Sequence, residues 1–370
     1  MSDIPNQPPE ASDRLVSLDF YRGLTMFLLI GGGTGLFGML RAPELEGGFL
    51  GFIGYQLEHH EWNGLLFWDL IQPFFMFIVG VAIPFSVANR RRKGHSDSQL
   101  LNHALRRAFL LLFLGWALAC KDSGRIVFHF QNVLSQLSVT YLIAFLLMRA
   151  PIRVQIVASF VILAFTELLF RGFPVAGFNQ AFTPDKNIGA WLDLVIGGKL
   201  SGGHWINLNA LPTAAHTIWG VCAGQILMVN RSSSEKIKAL VVGGLVFLAL
   251  GYGLDSVTPI VKRIATTTFV LASGGWSLLA LALCYWIIDV RGHDRCVPFF
   301  TIVGKNPLFI YLFWHVGGTR IIEQIATPFV GALFGWTGEI GSGIALGLTV
   351  WMGLWYVTYW LDKNKVYVRI

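Results

Sequence analysis

Long apolar runs are the feature that most constrains this chain. A helix needs roughly 20 mostly apolar residues to cross the hydrocarbon of a bilayer, and runs of that kind follow one another along the sequence. They lie near 17–40, 64–88, 104–120, 132–148, 152–170, 208–229, 237–254, 267–289, 299–317 and 341–361. The sequence therefore predicts an all-α fold, a polytopic integral membrane bundle of about ten transmembrane helices. The shorter stretch 321–336 contains Pro328 and is either a short extra crossing or a helix at the interface.

Composition supports a membrane location. Only 13% of the residues are charged and the mean hydropathy is +0.59, whereas about a quarter of the residues of a soluble domain are charged. The net charge of +7 comes from basic loops and is no argument for nucleic acid. The four cysteines form no C-x-x-C pair, so neither a disulfide framework nor a structural metal site is indicated.

The basic cluster Arg90–Lys93 after the second run sets the expected orientation. Positive charge in short loops marks the cytoplasmic side, so the amino terminus is expected there too, and ten crossings return the carboxyl terminus to it. Residues 1–14 are expected to form a disordered cytosolic tail, and 15–370 a single transmembrane domain. The long segment 171–207 is expected to form an ordered cover on the outer face.

The stretch EHHEW, residues 58–62, stands directly before the second apolar run. An imidazole takes and gives protons near neutral pH and can accept an acyl group, so His59 and His60 are candidates for chemistry. Glu58 and Glu61 could orient an imidazole. An interfacial belt of His and Trp is the plainer interpretation, and no metal-ligand spacing accompanies the pair.

Other polar side chains fall inside or beside the apolar runs. Asp69 lies about 8 Å into the second run, where a carboxylate is costly and faces a bundle interior or cavity. Asp19 and Arg22 are three residues apart on one helical face and close enough to pair; a helix start with Arg22 reaching lipid headgroups is the alternative. Further polar residues, which could simply bridge helices, are Asn207, Asn209, His216, Asn306, Tyr311 and His315.

Several of these segments together resemble a known family. The segments RLVSLDFYRGL, HHEWNGLLFWDLIQPFFMFIVG, NALPTAAHTIWGVCAG and IVGKNPLFIYLFWHV are similar, in this order, to the heparan-α-glucosaminide N-acetyltransferase family and its bacterial relatives. In the second segment the family's catalytic histidine, three residues before a tryptophan, falls on His59. The chain departs from the human-type pattern at Gly31-Gly32-Gly33, where an asparagine is expected.

The resemblance implies acyl transfer across the membrane. The donor would be acetyl-CoA in the cytosol, and the acceptor an amine or hydroxyl of a sugar or glycan, such as an amino sugar, on the outer face of a bacterial inner membrane. His59 would be the base or the acyl carrier, and Asp69 would anchor the helix that presents its loop. Asn306 and Asn63 are candidates to stabilise the oxyanion. Asp19, Arg22 and Lys305 are candidates to bind CoA at the inner face.

A second class of function stays open. A proton-coupled transporter could use Asp69, His59 and His315 as a relay, but it would be expected to show internal repeats and discontinuous spans, and no repeat is evident. A scaffold without chemistry would leave EHHEW unexplained. The acceptor, the acyl chain length and the oligomeric state, including a homodimer, are not determined by the sequence.

Overall fold

The computed structural model describes residues 15–368, so the expected tail 1–14 lies outside the described residues. The described part is helical and contains no strand. Its α-helices are α1 (Val16–Gly31), α2 (Leu36–Met39), α3 (Phe49–Gln56), α4 (Ile71–Arg92), α5 (Asp97–Ser123), α6 (Val133–Leu147), α7 (Ile152–Gly172), α8 (Ile188–Gly197), α9 (Ala214–Met228), α10 (Ser233–Gly253), α11 (Thr267–Cys284), α12 (Val297–Lys305), α13 (Pro307–Phe313), α14 (Thr319–Phe334) and α15 (Gly338–Lys363). The predicted all-α class is confirmed.

Six helical stretches in the described residues are long and apolar enough to cross a membrane. They are Phe67–Arg92, Asp97–Ser123, Ile152–Gly172, Ser233–Gly253, Thr267–Val290 and Pro307–Lys363. The helices α1, α6 and α9 coincide with three further expected spans but have only 16, 15 and 15 residues. The chain is thus a helical membrane protein, and the count of ten crossings stays a prediction.

Two expected spans differ in detail from the helices observed. The first ends at Gly31 and is followed by a turn and the short α2, so 17–40 is not one helix. The expected span over 299–317 is interrupted, because α12 ends at Lys305 and α13 begins at Pro307. Asn306 between them has φ −125° and ψ 48°, since a residue before proline is disfavoured in the helical region.

The described chain divides into two compact units. Unit 1 comprises residues up to 18 and 72–292, and unit 2 comprises 19–71 and 293–368. All the residues that the sequence singled out for catalysis and CoA binding belong to unit 2. They are Asp19, Arg22, His59, Asn63, Asp69, Lys305 and Asn306.

Unit 1 has a core built on α9 and α11, whose side chains are mostly buried. The helices α4 and α9 cross closely at Gly80 and Gly220: a Cβ atom on Gly220 would lie 2.1 Å from the carbonyl oxygen of Phe77. Small residues permit such approaches between membrane helices. His216, one of the polar residues that could bridge helices, is buried with its Nε2 2.8 Å from the hydroxyl of Ser273, so it joins α9 to α11.

The long segment 171–207 of unit 1 is held by a buried carboxylate. Asp193 of α8 accepts the backbone N–H of Asn207 at 3.1 Å and its side-chain amide at 2.9 Å. Gln131 donates to the same carboxylate and to the carbonyl of Trp205. These bonds join α8 to both Asn207 and Gln131, while an ordered cover on the outer face stays a prediction.

Unit 2 is organised around α1. A Cβ atom on Gly23 would lie 2.1 Å from the carbonyl oxygen of Phe300, so α1 and α12 touch backbone to backbone. On another side the Trp351 indole of α15 stacks on Phe27 and donates to its carbonyl at 2.9 Å. These contacts hold the middle of α1 against α12 and α15.

Candidate functional site

The EHHEW stretch and Asp69 meet in a histidine–carboxylate pair. Asp69 lies in a 3₁₀ turn, Phe67–Leu70, that leads into α4. Its Oδ1 is 2.8 Å from His59 Nδ1. The carboxylate is almost wholly buried, with 1% of its side chain exposed, whereas 39% of the His59 side chain is exposed. A buried carboxylate thus holds an imidazole that solvent can reach.

The second carboxylate oxygen of Asp69 accepts hydrogen bonds from the backbone of the loop that joins His59 to Asp69. Oδ2 accepts the backbone N–H of His60 at 3.1 Å and that of Leu66 at 3.0 Å. The backbone N–H of Asp69 donates in return to the carbonyl of Leu66 at 3.0 Å. One side chain therefore satisfies two loop amides and the imidazole, and this use accounts for a charge at the start of an apolar helix.

The pair determines which imidazole nitrogen can take a proton. An ionised carboxylate only accepts hydrogen bonds, so His59 Nδ1 carries a hydrogen and donates it to Asp69. In the neutral ring Nε2 then bears the lone pair, as in catalytic triads where a carboxylate fixes the tautomer. The arrangement is chemically suited to proton transfer at Nε2 or to nucleophilic attack through it.

The neighbouring polar residues of the loop have other positions. Glu58, a candidate to orient the imidazole, instead forms a surface ion pair with Arg41 at 3.1 Å. His60 has its ring against Gly64, whose φ is +149° and where a Cβ atom would lie 2.4 Å from His60 Nε2. Glu61 and Asn63 are exposed on the same loop. Among the carboxylates of the stretch and the adjoining turn, Asp69 is the one found bonded to His59.

Three indoles pack against the end of α1 close to this pair. Cβ atoms on Gly31, Gly32 and Gly33 would lie 2.7, 2.6 and 1.8 Å from atoms of Trp351, Trp68 and Trp314 respectively. At distances below 3.0 Å a Cβ atom would fit only if the neighbouring indole moved. The Trp68 ring centroid is also 6.4 Å from that of His59. Gly32 therefore gives room to the Trp68 ring that lies beside the catalytic candidate.

A second group of candidates lies at the other end of α1. The predicted pairing of Asp19 and Arg22 is confirmed, with Arg22 Nη2 2.7 Å from Asp19 Oδ1. Arg22 Nε also donates to the carbonyl of Gly304 at 3.0 Å. Next to it, Lys305 pairs with Asp362 at 2.8 Å. Both cations stay partly exposed, at 27% and 35% of their side chains.

Asn306 belongs to this second group and not to the surroundings of His59. Its amide nitrogen donates to the carbonyl of Val366 at 2.8 Å, and its oxygen accepts the N–H of Val368 at 3.0 Å. About 18 Å of helix axis separates Asp19 from Gly31, at 1.5 Å per residue. The structure thus brings His59 and Asp69 together near one end of α1, with Asn63 on the loop between them, and it places Asp19, Arg22, Lys305 and Asn306 near the other end.

His315 of the alternative relay lies in a π-helical turn, Trp314–Gly318. Its ring packs against Tyr311 and Trp314, with centroids 4.5 and 4.3 Å apart. Among residues 15–368, no three His, Cys, Asp or Glu side chains come together in a way that could hold a metal ion.

The chain has similar proteins of known name, although no family model matches it. Human (Homo sapiens) heparan-alpha-glucosaminide N-acetyltransferase is 23% identical to it over 369 residues, which cover 81% of this chain and 52% of the human protein. The mouse (Mus musculus) protein of the same name is 30% identical over 114 residues, 30% of this chain and 15% of the mouse protein. The chain spans about half the length of the human relative. The resemblance inferred from the motifs is confirmed: this chain is similar to heparan-alpha-glucosaminide N-acetyltransferase over most of its own length.

Proposed function

We propose that this protein is a membrane-bound acetyltransferase that moves an acetyl group from cytosolic acetyl-CoA to an amine or hydroxyl of a sugar or glycan on the outer face. The observation that carries the proposal is the 2.8 Å contact between the exposed His59 imidazole and the buried Asp69 carboxylate. The N-acetyltransferase activity in the name of the human relative supports the reaction class. The proposal includes a multi-pass location in a bacterial inner membrane with both termini cytoplasmic.

In the direct mechanism His59 acts as a general base. Nε2 takes a proton from the acceptor amine or hydroxyl as its N or O attacks the thioester carbonyl carbon. The C–S bond of the tetrahedral intermediate then breaks, and the CoA thiolate takes the proton from the imidazolium. Asp69 stabilises the imidazolium while it exists, and proton transfer of this kind contributes about 10²–10⁴ in rate.

In the two-step mechanism Nε2 is itself the nucleophile. It attacks the thioester carbonyl carbon, the C–S bond breaks to release CoA thiolate, and the ring carries the acetyl group as an acyl-imidazolium until the acceptor amine or hydroxyl displaces it and its proton passes to the thiolate. We favour direct transfer, because no second nucleophile is apparent beside His59. Asn63, on the same loop, remains the proposed donor to the oxyanion. The contacts of Asn306 with Val366 and Val368 favour a structural role for it instead.

The far end of α1 is the proposed contact for the CoA phosphates. Arg22 and Lys305 suit phosphate by charge, and their partial exposure leaves them reachable. Asp19 and Asp362 offset part of that charge and would orient the two cations. CoA carries its thioester at the end of a long arm, so phosphate binding at one end of α1 is compatible with chemistry at the other.

Proton-coupled transport is the competing function. The break between α12 and α13 is a feature that it expects. The amide of Asn306 at this break is bonded to the protein's own backbone, which favours a packed joint over an ion site.

An acetyl-transfer assay in proteoliposomes tests the proposal. With acetyl-CoA and glucosamine, we expect acetylglucosamine from the unmodified protein and a loss of at least about 100-fold with His59→Ala. Stabilisation of His59→Ala by CoA in a thermal-shift assay should persist, because binding of a ligand to the folded state alone raises its stability. Arg22→Ala and Lys305→Ala should weaken that stabilisation.

Two histidine variants serve as controls. His293→Ala alters an exposed histidine of unit 2 that is outside the site and should keep full activity. His60→Ala should be mild, because its contact with Asp69 is made through the backbone. Loss of activity equal to that of His59→Ala in either control, or no stabilisation of any variant by CoA, would argue against the proposed enzyme.

A further inference from the structure

The helix α3 presents apolar side chains outward although it belongs to a connecting segment. The exposed fractions of Phe49 and Phe52 are 77% and 60%, and Leu50 and Tyr55 are exposed too. A cluster of this kind marks a surface that contacts something other than water.

The opposite side of α3 is fixed to unit 2 by two glycines. Cβ atoms on Gly51 and Gly54 would lie 2.2 and 2.5 Å from the carbonyl oxygens of Leu45 and Leu40. Ile53 and Leu57 pack on the buried cluster of Leu36, Phe37 and Leu40. At 100° per residue, Phe49 and Phe52 point away from the two glycines. The outward position of the two phenyl rings is therefore a fixed property of the helix.

We propose that α3 lies in the membrane surface, with Phe49 and Phe52 inserted at the boundary between lipid headgroups and acyl chains. Its eight residues span about 12 Å and are too few to cross. None of them is charged; the charged residues stand on the flanking loops, at Arg41, Glu44, Glu46, Glu58 and Glu61. An apolar helix bordered by aromatic and charged side chains is typical of interfacial segments.

The size of the face favours lipid over a second copy of the chain. A stable protein interface buries about 800 Å² per partner and involves some 20–30 residues on each side, which an eight-residue helix does not supply. Lipid imposes no such minimum. Arg41 lies over the Tyr55 ring at 5.5 Å while it pairs with Glu58, so the end of the helix nearest the EHHEW stretch combines an aromatic ring with charge, as expected at headgroup level.

The proposal goes beyond acetyl transfer, because it fixes the depth of the His59–Asp69 pair in either mechanism. Gln56, the last residue of α3, accepts the N–H of Phe67 at 3.2 Å. Phe67 begins the turn that contains Asp69. The end of α3 is thus bonded to the turn that carries Asp69, and Asp69 is bonded to His59. A helix held at the lipid headgroups would therefore hold the imidazole near the same depth.

Spin labels test the position of α3 in the full-length protein in liposomes. After replacement of Cys120, Cys222, Cys284 and Cys296, nitroxides are attached at Phe49→Cys and Phe52→Cys. Matched controls are Glu46→Cys and Glu61→Cys, which are exposed on the flanking loops. We expect collisions with oxygen, which concentrates in lipid, to exceed those with a water-soluble nickel chelate at 49 and 52, and the reverse at 46 and 61.

Two outcomes would overturn the proposal. Equal access of the nickel chelate to positions 46 and 52 would mean that α3 lies in water. Protection of positions 49 and 52 from both oxygen and the chelate would indicate a protein partner. Crosslinking of the unsubstituted chain to a diazirine-bearing phosphatidylcholine supplies a second measurement that needs no variant. Adducts should fall on Phe49 and Phe52, and their absence there would also contradict a membrane position.

Discussion

Asp69 shows at the scale of one residue why a charge is retained at the start of an apolar helix. It bonds the imidazole of His59 through Oδ1 and two loop amides through Oδ2. Hydrogen bonds to a charged acceptor contribute about 1.5–3 kcal/mol each. The same carboxylate therefore shapes the loop and fixes the tautomer of the imidazole, and the two roles can be separated experimentally.

We expect Asp69→Asn to keep the fold and impair the chemistry. The amide oxygen can still accept from His60 and Leu66, but the new NH₂ group faces His59 Nδ1 and favours the tautomer with hydrogen on Nε2. Acetyl transfer should fall by about two to four orders of magnitude. Loss of the carboxylate also lowers the pKa of the imidazole. His59 is active when neutral, so the acidic limb of kcat/KM should move to lower pH.

Measurements of kcat/KM against pH and of thermal unfolding distinguish the two roles of Asp69. A pH profile that does not move, together with a large loss of folded protein, would leave Asp69 with a structural role alone.

Glu58→Gln tests one of the two carboxylates, Glu58 and Glu61, that the sequence offered as partners of the imidazole. Because Glu58 pairs with Arg41 at the surface, where ion pairs contribute about 0–1 kcal/mol, kcat/KM should change less than about twofold. A change as large as that of Asp69→Asn would mean that Glu58 orients the imidazole after all.

The sequence could predict His59 and the Asp19–Arg22 pair but not the contact between His59 and Asp69. The Asp19–Arg22 pair follows from helical spacing, which applies within one helix. Residues 59 and 69 are joined by a loop without periodicity, so their meeting depends on how Asp69 gathers the amides of His60 and Leu66. The sequence did offer one signal for this contact. Asp69 stands in an apolar run, where a carboxylate is energetically costly, shortly after the two histidines of EHHEW.

At the scale of elements, the end of α1 is shaped by glycines that admit indole rings. The sequence showed Gly31-Gly32-Gly33 as a departure from the related enzymes, and its role appears only in the packing of Trp351, Trp68 and Trp314. Those contacts join segments far apart in the chain, which no local pattern predicts. The break at Asn306, by contrast, was signalled by the Asn-Pro dipeptide.

We expect Gly32→Ala to disturb the site through Trp68. The added methyl group would lie 2.6 Å from the indole, and overpacking of this kind costs about 1–3 kcal/mol. Both the unfolding temperature and kcat/KM should fall, and Gly32→Ala/Trp68→Phe should recover part of the stability.

Gly38→Ala is the control, because a Cβ atom there meets nothing within 4 Å. If Gly32→Ala and Gly38→Ala have the same unfolding temperature and the same kcat/KM, the contact between Gly32 and Trp68 does not shape the site.

Asn306→Ala distinguishes a structural from a catalytic asparagine. Loss of the contacts to Val366 and Val368 should cost about 1–3 kcal/mol of unfolding free energy, while kcat of the folded protein stays within about threefold. The exposed Asn364, which bonds Trp360 within α15, supplies the control Asn364→Ala, with an expected change below about 0.5 kcal/mol. A large fall in kcat without loss of stability would restore Asn306 as an oxyanion donor.

At the scale of the whole molecule, the sequence indicated the class and the course of the chain but not its division. Apolar runs predict helices one at a time, whereas a compact unit is defined by contacts between them. The pairing of residues 19–71 with 293–368 in unit 2 joins the first and last parts of the chain. The close approaches of Gly23 to Phe300 and of Trp351 to Phe27 that support it are set by packing.

Cysteine labelling in intact cells tests the orientation that the proposed function requires. In a background without native cysteines, Glu61→Cys should react with impermeant maleimides, and Arg92→Cys only after permeabilisation. A separate variant that keeps Cys296, exposed on the loop before α12, as its single cysteine is a control that should behave like position 92. Reversed accessibility would exchange the sides assigned to acetyl-CoA and to the acceptor.

The contact of Asn306 with the carboxyl-terminal segment has a practical consequence for handling this protein. After α15 the chain turns at Lys365, whose φ is +57°, and the N–H of Val366 bonds back to the carbonyl of Leu361 at 2.9 Å. Val366 and Val368 then lie against the joint between α12 and α13. A fluorescent reporter or purification tag fused directly after this segment would disturb the hydrogen bonds of Val366 and Val368 to Asn306. A tag at the amino terminus, or one placed behind a long flexible linker, avoids the problem.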